Sequence, residues 1–279
     1  MRTTKKGKFF LYLILTLGAL LILFPMYITI TTTFKTPAES AVSFFTLPKS
    51  LYLGNYATVL QDEKLYYAYG NTILITVVSL IGEMLILPPM GFALSRGMKQ
   101  NRFFKGLYFF FLLGIFLPWQ VRMMPVVKLM GWVGLLSPLG ITLLYVAHAT
   151  CESMFLYVGY LATVSDSIEE AAYIDGASYF STMTRIIFPM AKPSIITIIL
   201  FNFLSFWNEY IISMTLMSST KAPRTLPVGL LNLMQAQQSA AQYGTMYAGL
   251  VLVMLPTLIL YICVQRQLTQ GMTVGGLKG

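Results

Sequence analysis

The chain has 279 residues, of which 56% are hydrophobic and 10% are charged, whereas a soluble globular protein carries about 25% charged residues. This composition excludes a soluble domain and places the chain among membrane proteins. The formal net charge is +9, but the basic residues fall in short clusters beside apolar runs, which is typical of orientation signals and not of a nucleic-acid-binding surface.

Six apolar runs predict an all-α membrane protein with six transmembrane helices. The first run is too long for the core of a cleavable signal peptide, about 7 to 15 residues, and is therefore predicted to be a retained span. The third is short for a bilayer, so we expect it to extend past Arg122 towards Lys128, with both cations at the outer surface. The runs cover residues 9–33, 66–94, 106–121, 139–162, 194–217 and 245–264.

The distribution of Lys and Arg predicts that both termini lie in the cytoplasm. With an internal N-terminus, twelve of the 19 basic residues lie inside and seven lie outside. The predicted loops are external at 34–65, with a short surface helix at 51–65, cytoplasmic at 163–193 and external at 218–244. The chain is accordingly divided into an N-terminal segment (1–65), a transmembrane core of five helices (66–264) and a cytoplasmic tail (265–279).

The cytoplasmic loop predicts two short helices separated by a bend. The first has a capping serine before it, acidic residues in its first turn, where the helix dipole favours negative charge, and a glycine that can end it. These residues are Ser165 or Ser167, Glu169, Glu170 and Gly176. The second helix is predicted from about 178 to 187, stopping at Pro189. Taken alone, the pattern fits either a capped connecting helix or a helix that enters a groove on a partner.

The spacing within this loop resembles the EAA signature of ABC importer permeases. Glu170-Ala171-Ala172 is followed by Gly176, then by Ile186 and Pro189. Phe188 stands where the family usually has leucine, a change that keeps an apolar residue. Further matches extend the resemblance to the maltose-type carbohydrate permeases, specifically the second permease, over nearly the whole chain. They lie at 24–25, 34–37, 207–210, 225–229 and 265–279.

The resemblance implies the type I ABC importer architecture in a bacterial plasma (inner) membrane. This multi-pass chain would be one permease of a complex with a second, different permease, two ATPase subunits and an extracellular solute-binding protein that delivers a carbohydrate, a disaccharide or an oligosaccharide. It would not be an enzyme and would hold no cofactor or metal, since ATP and Mg²⁺ would be bound by the ATPase. The sequence has no G-x-x-x-x-G-K-[ST] phosphate loop of its own.

In that family the EAA segment docks on the ATPase, and the stretch 218–244 would approach the solute-binding protein. By this resemblance we assign a set of residues to ATPase coupling. They are Glu169, Glu170, Ala171, Ala172, Asp175, Gly176, Ala177, Ile186 and Pro189.

Ionisable residues inside the spans are the candidates for a solute pathway, because charge is disfavoured in lipid and should face the interior or water. Glu209, beside Trp207 and Asn208, is the strongest candidate, since sugars bind to aromatic faces, amides and carboxylates. A tryptophan anchored at the interface and a carboxylate bonded to a neighbouring helix would give the same sequence pattern.

Three further ionisable residues lie in spans. His148 and Glu152 are four residues apart, which predicts an intrahelical pair, with a pathway role as the alternative. Glu83 precedes Pro88-Pro89, where we expect a kink and carbonyl groups that need partners, so its predicted role is structural, with pathway lining as the alternative. A different class of protein, an ion-coupled secondary transporter, would use Glu83 or the His148 and Glu152 pair as a proton relay and would need no ATP.

Overall fold

The computed structural model describes residues 5–217 and 225–275, and the regular elements in these ranges are all helical. A π-helical turn (Met183–Ile187) joins the ninth and tenth helices. The α-helices in chain order are α1 (Lys5–Thr33), α2 (Pro37–Val42), α3 (Gly54–Leu60), α4 (Glu63–Gln100), α5 (Arg102–Phe116), α6 (Trp119–Trp132), α7 (Pro138–Leu161), α8 (Asp166–Ile174), α9 (Tyr179–Thr182), α10 (Phe188–Asn208), α11 (Ile211–Leu216), α12 (Leu226–Ser239) and α13 (Tyr243–Gly275).

Five helical segments are long and apolar enough to cross a bilayer. They are α1, α4, α7, the segment from α9 through α10, and α13. The pair α5 and α6 passes the same test only when the two are taken together. The predicted all-α membrane fold is confirmed, and each predicted span corresponds to one of these helices or pairs.

The third predicted span is not straight. Its two halves, α5 and α6, are bent by 102° at a break formed by Leu117 and Pro118. Leu117 has an extended ψ of 104°, as expected for a residue before proline, because the proline ring disfavours helical backbone at the preceding position. Arg122, which was expected to extend to the outer surface, contacts α7 instead, with its Nη2 2.9 Å from His148 Nδ1.

The fifth predicted span starts earlier and ends earlier than expected. The prediction that a separate short helix stops at Pro189 is wrong, because the chain is helical from Tyr179 to Asn208. Pro189 lies in the first turn of α10, directly after the π-helical turn, in which Phe188 N donates to Met183 O. The wider π-turn is where the helix accommodates the proline without ending. Glu209 has an extended ψ of 127° and ends the helix, and α11 follows as a separate element.

Two further predictions concern the proline pair in α4 and the loop 34–65. The helix α4 continues through Pro88-Pro89, and the kink expected at these two prolines stays a prediction. The short helix predicted within 51–65 is present as α3, and α2 is an additional helix that the apolar pattern did not indicate.

The helices pack into two compact units. One combines the residues up to Tyr67 with Val228–Pro256, and the other consists of Ala68–Pro227 with the residues from Thr257 onwards. The second unit contains both regions of functional interest, the loop around α8 and the polar residues of α4, α7 and α10. Its buried apolar side chains include a cluster at the α8 end of α4 and α7, centred on Leu87, Phe92, Tyr157, Leu161 and Ile187.

Candidate functional site

The helix α8 is closed at both ends by local hydrogen bonds. The Ser165 side chain accepts a hydrogen bond from Ser167 N before the first turn. At the other end Gly176 has a φ of +83°, a conformation that favours glycine. Gly176 N donates to Tyr173 O and Ala177 N donates to Ala172 O, which is the Schellman arrangement. The predicted start and end of this helix are therefore confirmed, and α8 is a defined unit rather than a loose connection.

Arg96, near the end of α4, holds α8 against the helical core. Its guanidinium lies 2.5 and 2.7 Å from Glu169 Oε1 through Nη2 and Nε, and its Nη1 donates to Leu161 O at 3.3 Å. The two side chains are buried, with 12% and 9% exposed. The same guanidinium lies over the ring of Phe92. Arg96 therefore connects α4 to the end of α7 and to the first turn of α8.

A second, exposed pair parallels the first. Lys99 Nζ forms an ion pair with Asp166, and both side chains are about half exposed. The hydrogen bond from Lys99 holds the pKa of Asp166 below its ordinary value. Because this pKa is lowered in the folded chain, the pair stabilises the fold above pH about 4 and loses its effect as the pH falls through the folded value.

The residues predicted to couple to an ATPase divide by exposure. Glu169 and Ala172 are buried inside the second unit, and Ile186 is partly buried against the core beside α8. Glu170 has an exposed side chain, and the remaining motif residues are exposed as well, except for one half-buried alanine, Ala177. The exposed ones are Ala171, Asp175, Gly176 and Pro189.

Large apolar side chains project from the same segment. Ile174 is 85% exposed and Phe180 is 69% exposed, and Tyr173 and Tyr179 are about half exposed. Tyr173 and Ile174 lie in α8, and Tyr179 and Phe180 lie in α9, at the start of the apolar segment Tyr179–Asn208. Together with Glu170 they form a surface, here called the α8 face, that combines one carboxylate with exposed apolar groups. Exposed apolar groups beside a carboxylate on a capped helix make this face a candidate interaction surface.

Glu83 belongs to a buried polar cluster that joins three helices. Its Oε1 accepts hydrogen bonds from Ser153 Oγ of α7 and from Asn202 Nδ2 of α10, both at 2.6 Å. Asn202 Nδ2 also donates to Ser153 Oγ at 2.8 Å. Glu83 is fully buried, and the other two are nearly so. The carboxylate thus bonds to neighbouring helices and not to carbonyl groups freed near Pro88.

His148 and Glu152 form the intrahelical pair that their spacing indicates. His148 Nε2 lies 3.4 Å from Glu152 Oε1 on α7. Arg122 of α6 approaches the other ring nitrogen and also lies over the ring of Trp119. The Glu152 side chain is 47% exposed. This cluster, here called the α6/α7 cluster, therefore lies at the surface of the chain, whereas the Glu83 cluster lies inside it.

Trp207, Asn208 and Glu209 do not present one common surface. Trp207 is buried, stacks on Phe203 and meets Tyr69 edge-on. Asn208 is exposed, and its Nδ2 donates to a carbonyl of its own helix. The three side chains therefore have different surroundings. Trp207 and Asn208 lie on different sides of the last turn of α10, and Glu209 follows the end of the helix.

Glu209 caps the short helix α11. Its carboxylate accepts from Ile212 N at 2.6 Å and from Ser213 N at 3.2 Å, and Tyr145 of α7 donates its hydroxyl to Oε2 at 2.9 Å. These contacts make the carboxylate a link between α7 and the turn after α10. The ring of Tyr145 in turn stacks on Phe206 at 4.7 Å.

Reasoning from the sequence missed several residues of these sites and gave others a different role. Arg96 and Lys99 were interpreted only as orientation charges, and their acidic partners lie about 70 positions away. Ser153 and Asn202 carried a signal, since polar side chains inside apolar runs need buried partners. In the described ranges, no group of three His, Cys, Asp or Glu residues is placed to hold a metal ion.

Part of the predicted external loop and tail lies outside the described residues. This applies to positions 218–224 of the stretch assigned to the solute-binding protein and to the last four residues of the tail. The rest of the loop stretch forms α12 and the turn before α13.

Residues 89–274 match the model of the family described as "binding-protein-dependent transport system inner membrane component". The chain is 35% identical over 275 residues to the multiple sugar-binding transport system permease protein MsmG of Streptococcus mutans, covering 98% of both chains. It is 32% identical to the probable starch degradation products transport system permease protein AmyC of Thermoanaerobacterium thermosulfurigenes, covering 96% of this chain and 97% of that protein.

A solved structure has the same fold. A chain from the crystal structure of a bacterial ABC transporter involved in the import of the acidic polysaccharide alginate superposes with a TM-score of 0.81 and 25% identity, covering 95% of this chain and 98% of that one. The long apolar helices, the capped and anchored α8 and these similarities lead to the same assignment. The chain is a transport permease, a member of the binding-protein-dependent transport system inner membrane component family.

Proposed function

We propose that this chain is the non-catalytic permease subunit of an ATP-driven importer that carries a disaccharide or oligosaccharide across the bacterial plasma membrane. It forms one half of the pathway beside a second, different permease. Two ATPase subunits bind ATP and Mg²⁺, and an extracellular solute-binding protein delivers the sugar. The names of the relatives support a carbohydrate substrate, and they give no support to the ion-coupled alternative.

The observation that carries this proposal is the α8 face. Glu170 and the exposed apolar residues of α8 and α9 point away from the chain, while Glu169 on the same helix is bound by Arg96. A helix held on one side and exposed on the other can be gripped by a partner and still transmit force to the bundle. Closure of the ATPase dimer would move α8 as a rigid body and switch the pathway between inward-open and outward-open states.

The candidates for pathway lining divide into exposed and buried side chains. Glu152 and Asn208 reach the surface of the chain, which supports a place in the pathway. Glu83 and Trp207 are buried among helices, and Glu209 is occupied by α11 and Tyr145. These contacts support structural roles for the last three.

The test uses the importer assembled in proteoliposomes with its second permease, ATPase and solute-binding protein. Uptake is measured with malto-, galacto- and arabino-oligosaccharides of two or three units and with diacetylchitobiose. At least one of these sugars should be taken up, with strict dependence on ATP. Uptake without an ATPase, or uptake of none of these sugars, would contradict the proposal.

The variant Glu170→Gln tests the α8 face in the same preparation. It removes the charge but keeps the shape, and should lower the ATP hydrolysis stimulated by the loaded binding protein about tenfold or more, since a charge pair at a docking surface is lost. Arg185→Gln, an exposed change of charge on the neighbouring π-helical turn, is the matched control and should stay near the parent rate. Equal rates for Glu170→Gln and the parent would count against docking through this face.

A further inference from the structure

The break between α5 and α6 leaves non-helical backbone at the surface of the chain. Leu117 is 54% exposed and Pro118 is also exposed. The first turn of α6 has no side-chain cap. Exposed backbone polar groups do not face lipid inside a bilayer, and they are found there only against protein or along a water-filled cavity.

The position of the break along α7 places it inside the bilayer. Gly114, in the last turn of α5, lies so close to α7 that a side chain there would meet the Cβ atom of Cys151 at 3.2 Å. The next residue, Glu152, lies nine positions before the end of α7 at Leu161 and fourteen after its start at Pro138. At 1.5 Å per residue these distances are about 14 and 21 Å, well within the hydrocarbon core.

The α6/α7 cluster lies at this break. Arg122 can only donate hydrogen bonds, so its contact of 2.9 Å makes His148 Nδ1 the acceptor and places the ring proton on Nε2, which faces Glu152. The imidazole therefore lies between the guanidinium and the carboxylate. Buried Trp119 Nε1 and Arg122 Nε have no hydrogen-bond acceptor in the part of the chain that the structure describes.

A carboxylate that is half exposed at this depth cannot face lipid, because charged groups inside the membrane face water, a cavity or another protein. Three carboxylates lie in the predicted spans. Glu83 is buried, and Glu209 accepts a hydrogen bond from a backbone N–H group of α11, whereas Glu152 is exposed. Each half of a pathway for a polar solute needs a polar surface. The break and the exposed carboxylate are independent observations that mark the same place for it.

We propose that the α6/α7 cluster is a carbohydrate-binding subsite in the translocation pathway, contributed by this chain. Glu152 accepts hydrogen bonds from sugar hydroxyl groups, and the irregular backbone at 117–118 offers further polar groups. His148 and Arg122 are positioning residues that hold the carboxylate towards the pathway. The inference rests on the proposed function, since it names the place where this permease would contact the imported sugar.

The test labels single cysteines in the assembled importer. The two native cysteines are first replaced (Cys151→Ala and Cys263→Ala), and Glu152→Cys is added. The reagent is a hydrophilic methanethiosulfonate, and the sugar is whichever oligosaccharide of the panel above is taken up by the parent. The control is Leu143→Cys, which is also about half exposed but lies on the opposite side of α7, since nine residues at about 100° each make about two and a half turns.

Glu152→Cys should react at least about tenfold faster than Leu143→Cys, and saturating sugar delivered by the binding protein in the presence of ATP should slow its reaction several-fold. Absence of reaction would show that Glu152 is covered by the second permease or by lipid, and reaction insensitive to the sugar would show a wet surface that does not bind it. Either result, found also at the second position described next, overturns the inference.

A second position guards against failure of the first variant to assemble. Gln120→Cys places the thiol on an exposed residue in the first turn of α6, beside the break, and should show the same reactivity and the same protection by sugar. If the cysteine-free parent imports a sugar of the panel but neither position is protected, only this inference fails. If the parent imports none, the proposed function fails.

Discussion

Arg96 is the side chain through which α4 contacts both the end of α7 and the first turn of α8. It places one buried charge between α4, α7 and α8 and finds its counter-charge in Glu169. A buried ion pair adds little stability over an apolar pair of the same shape, but removal of one partner leaves an uncompensated charge. The pair therefore fixes where α8 sits.

A double-mutant cycle tests this role. Arg96→Met alone should lower the free energy of unfolding by about 3 to 5 kcal/mol because Glu169 is left buried without a partner. Adding Glu169→Gln should recover much of the loss. The measurement is a denaturant titration of the purified importer in detergent.

The exposed pair Lys99 and Asp166 is the matched control for that cycle, since it joins the same two helices at about half exposure. Lys99→Met should cost about 1 kcal/mol or less. Similar losses for Lys99→Met and Arg96→Met, or strictly additive effects of Arg96→Met and Glu169→Gln, would show that Arg96 does not hold α8 through Glu169.

Asn55 organises the elements of the first unit in the way that Arg96 organises those of the second. Its Nδ2 donates to Thr33 O and to Lys35 O, each at 2.8 Å, and Thr245 of α13 donates its hydroxyl to Asn55 Oδ1. Lys35 is itself fully buried, with Nζ donating to Ser43 O at 2.9 Å, and burial lowers its pKa. The segment between α1 and α4 is thus a folded layer.

Asn55→Ala should loosen this layer. The substitution leaves two buried carbonyl groups without a donor, at a cost of about 1 to 3 kcal/mol. Limited proteolysis in the stretch 43–53 should then be about tenfold faster than in the parent. Thr58→Ala, which removes an exposed hydroxyl bonded only within α3, should leave the cleavage rate unchanged. Equal rates for both variants would exclude Asn55 as the link.

The elements that the sequence predicted well are those set by local chemistry. The start of α8 at Ser165 and its end at Gly176 follow from capping and from a positive φ, which neighbouring residues alone determine. The pairing of Arg96 with Glu169 has no such local signal, because it depends on how α4 and α7 pack.

Apolar runs predicted where the apolar helices lie but not their continuity. Hydropathy measures the transfer of side chains into lipid and carries no information on the direction of the helix axis, so the run containing Leu117 and Pro118 gave one expected span where the chain bends by 102°. The available signal was Pro118 itself, which disfavours helix at the residue before it. The polar stretch from Trp207 to Glu209 was misleading for a related reason, since α10 ends within it.

The contact between α4 and α8 also determines how many times the chain crosses the membrane. Arg96 and Glu169 touch, so the end of α4 and the helix α8 lie on the same side. Between them the chain contains the pair α5 and α6, and then α7. If α7 crosses once, we expect the bent pair to cross once as well, which predicts six crossings and both chain ends in the cytoplasm.

Reporter fusions at both ends of the full-length chain test this count. A fluorescent protein before Met1 and one after Gly279 should each be active in the cytoplasm, as the excess of basic residues on that side predicts. A phosphatase inserted at Gly134, in the turn between α6 and α7, should be active outside. If the fusion after Gly279 instead lay outside while the fusion before Met1 lay inside, α5 and α6 would form a re-entrant loop within five crossings. Arg96 and Glu169 could not then be joined in the membrane-embedded chain.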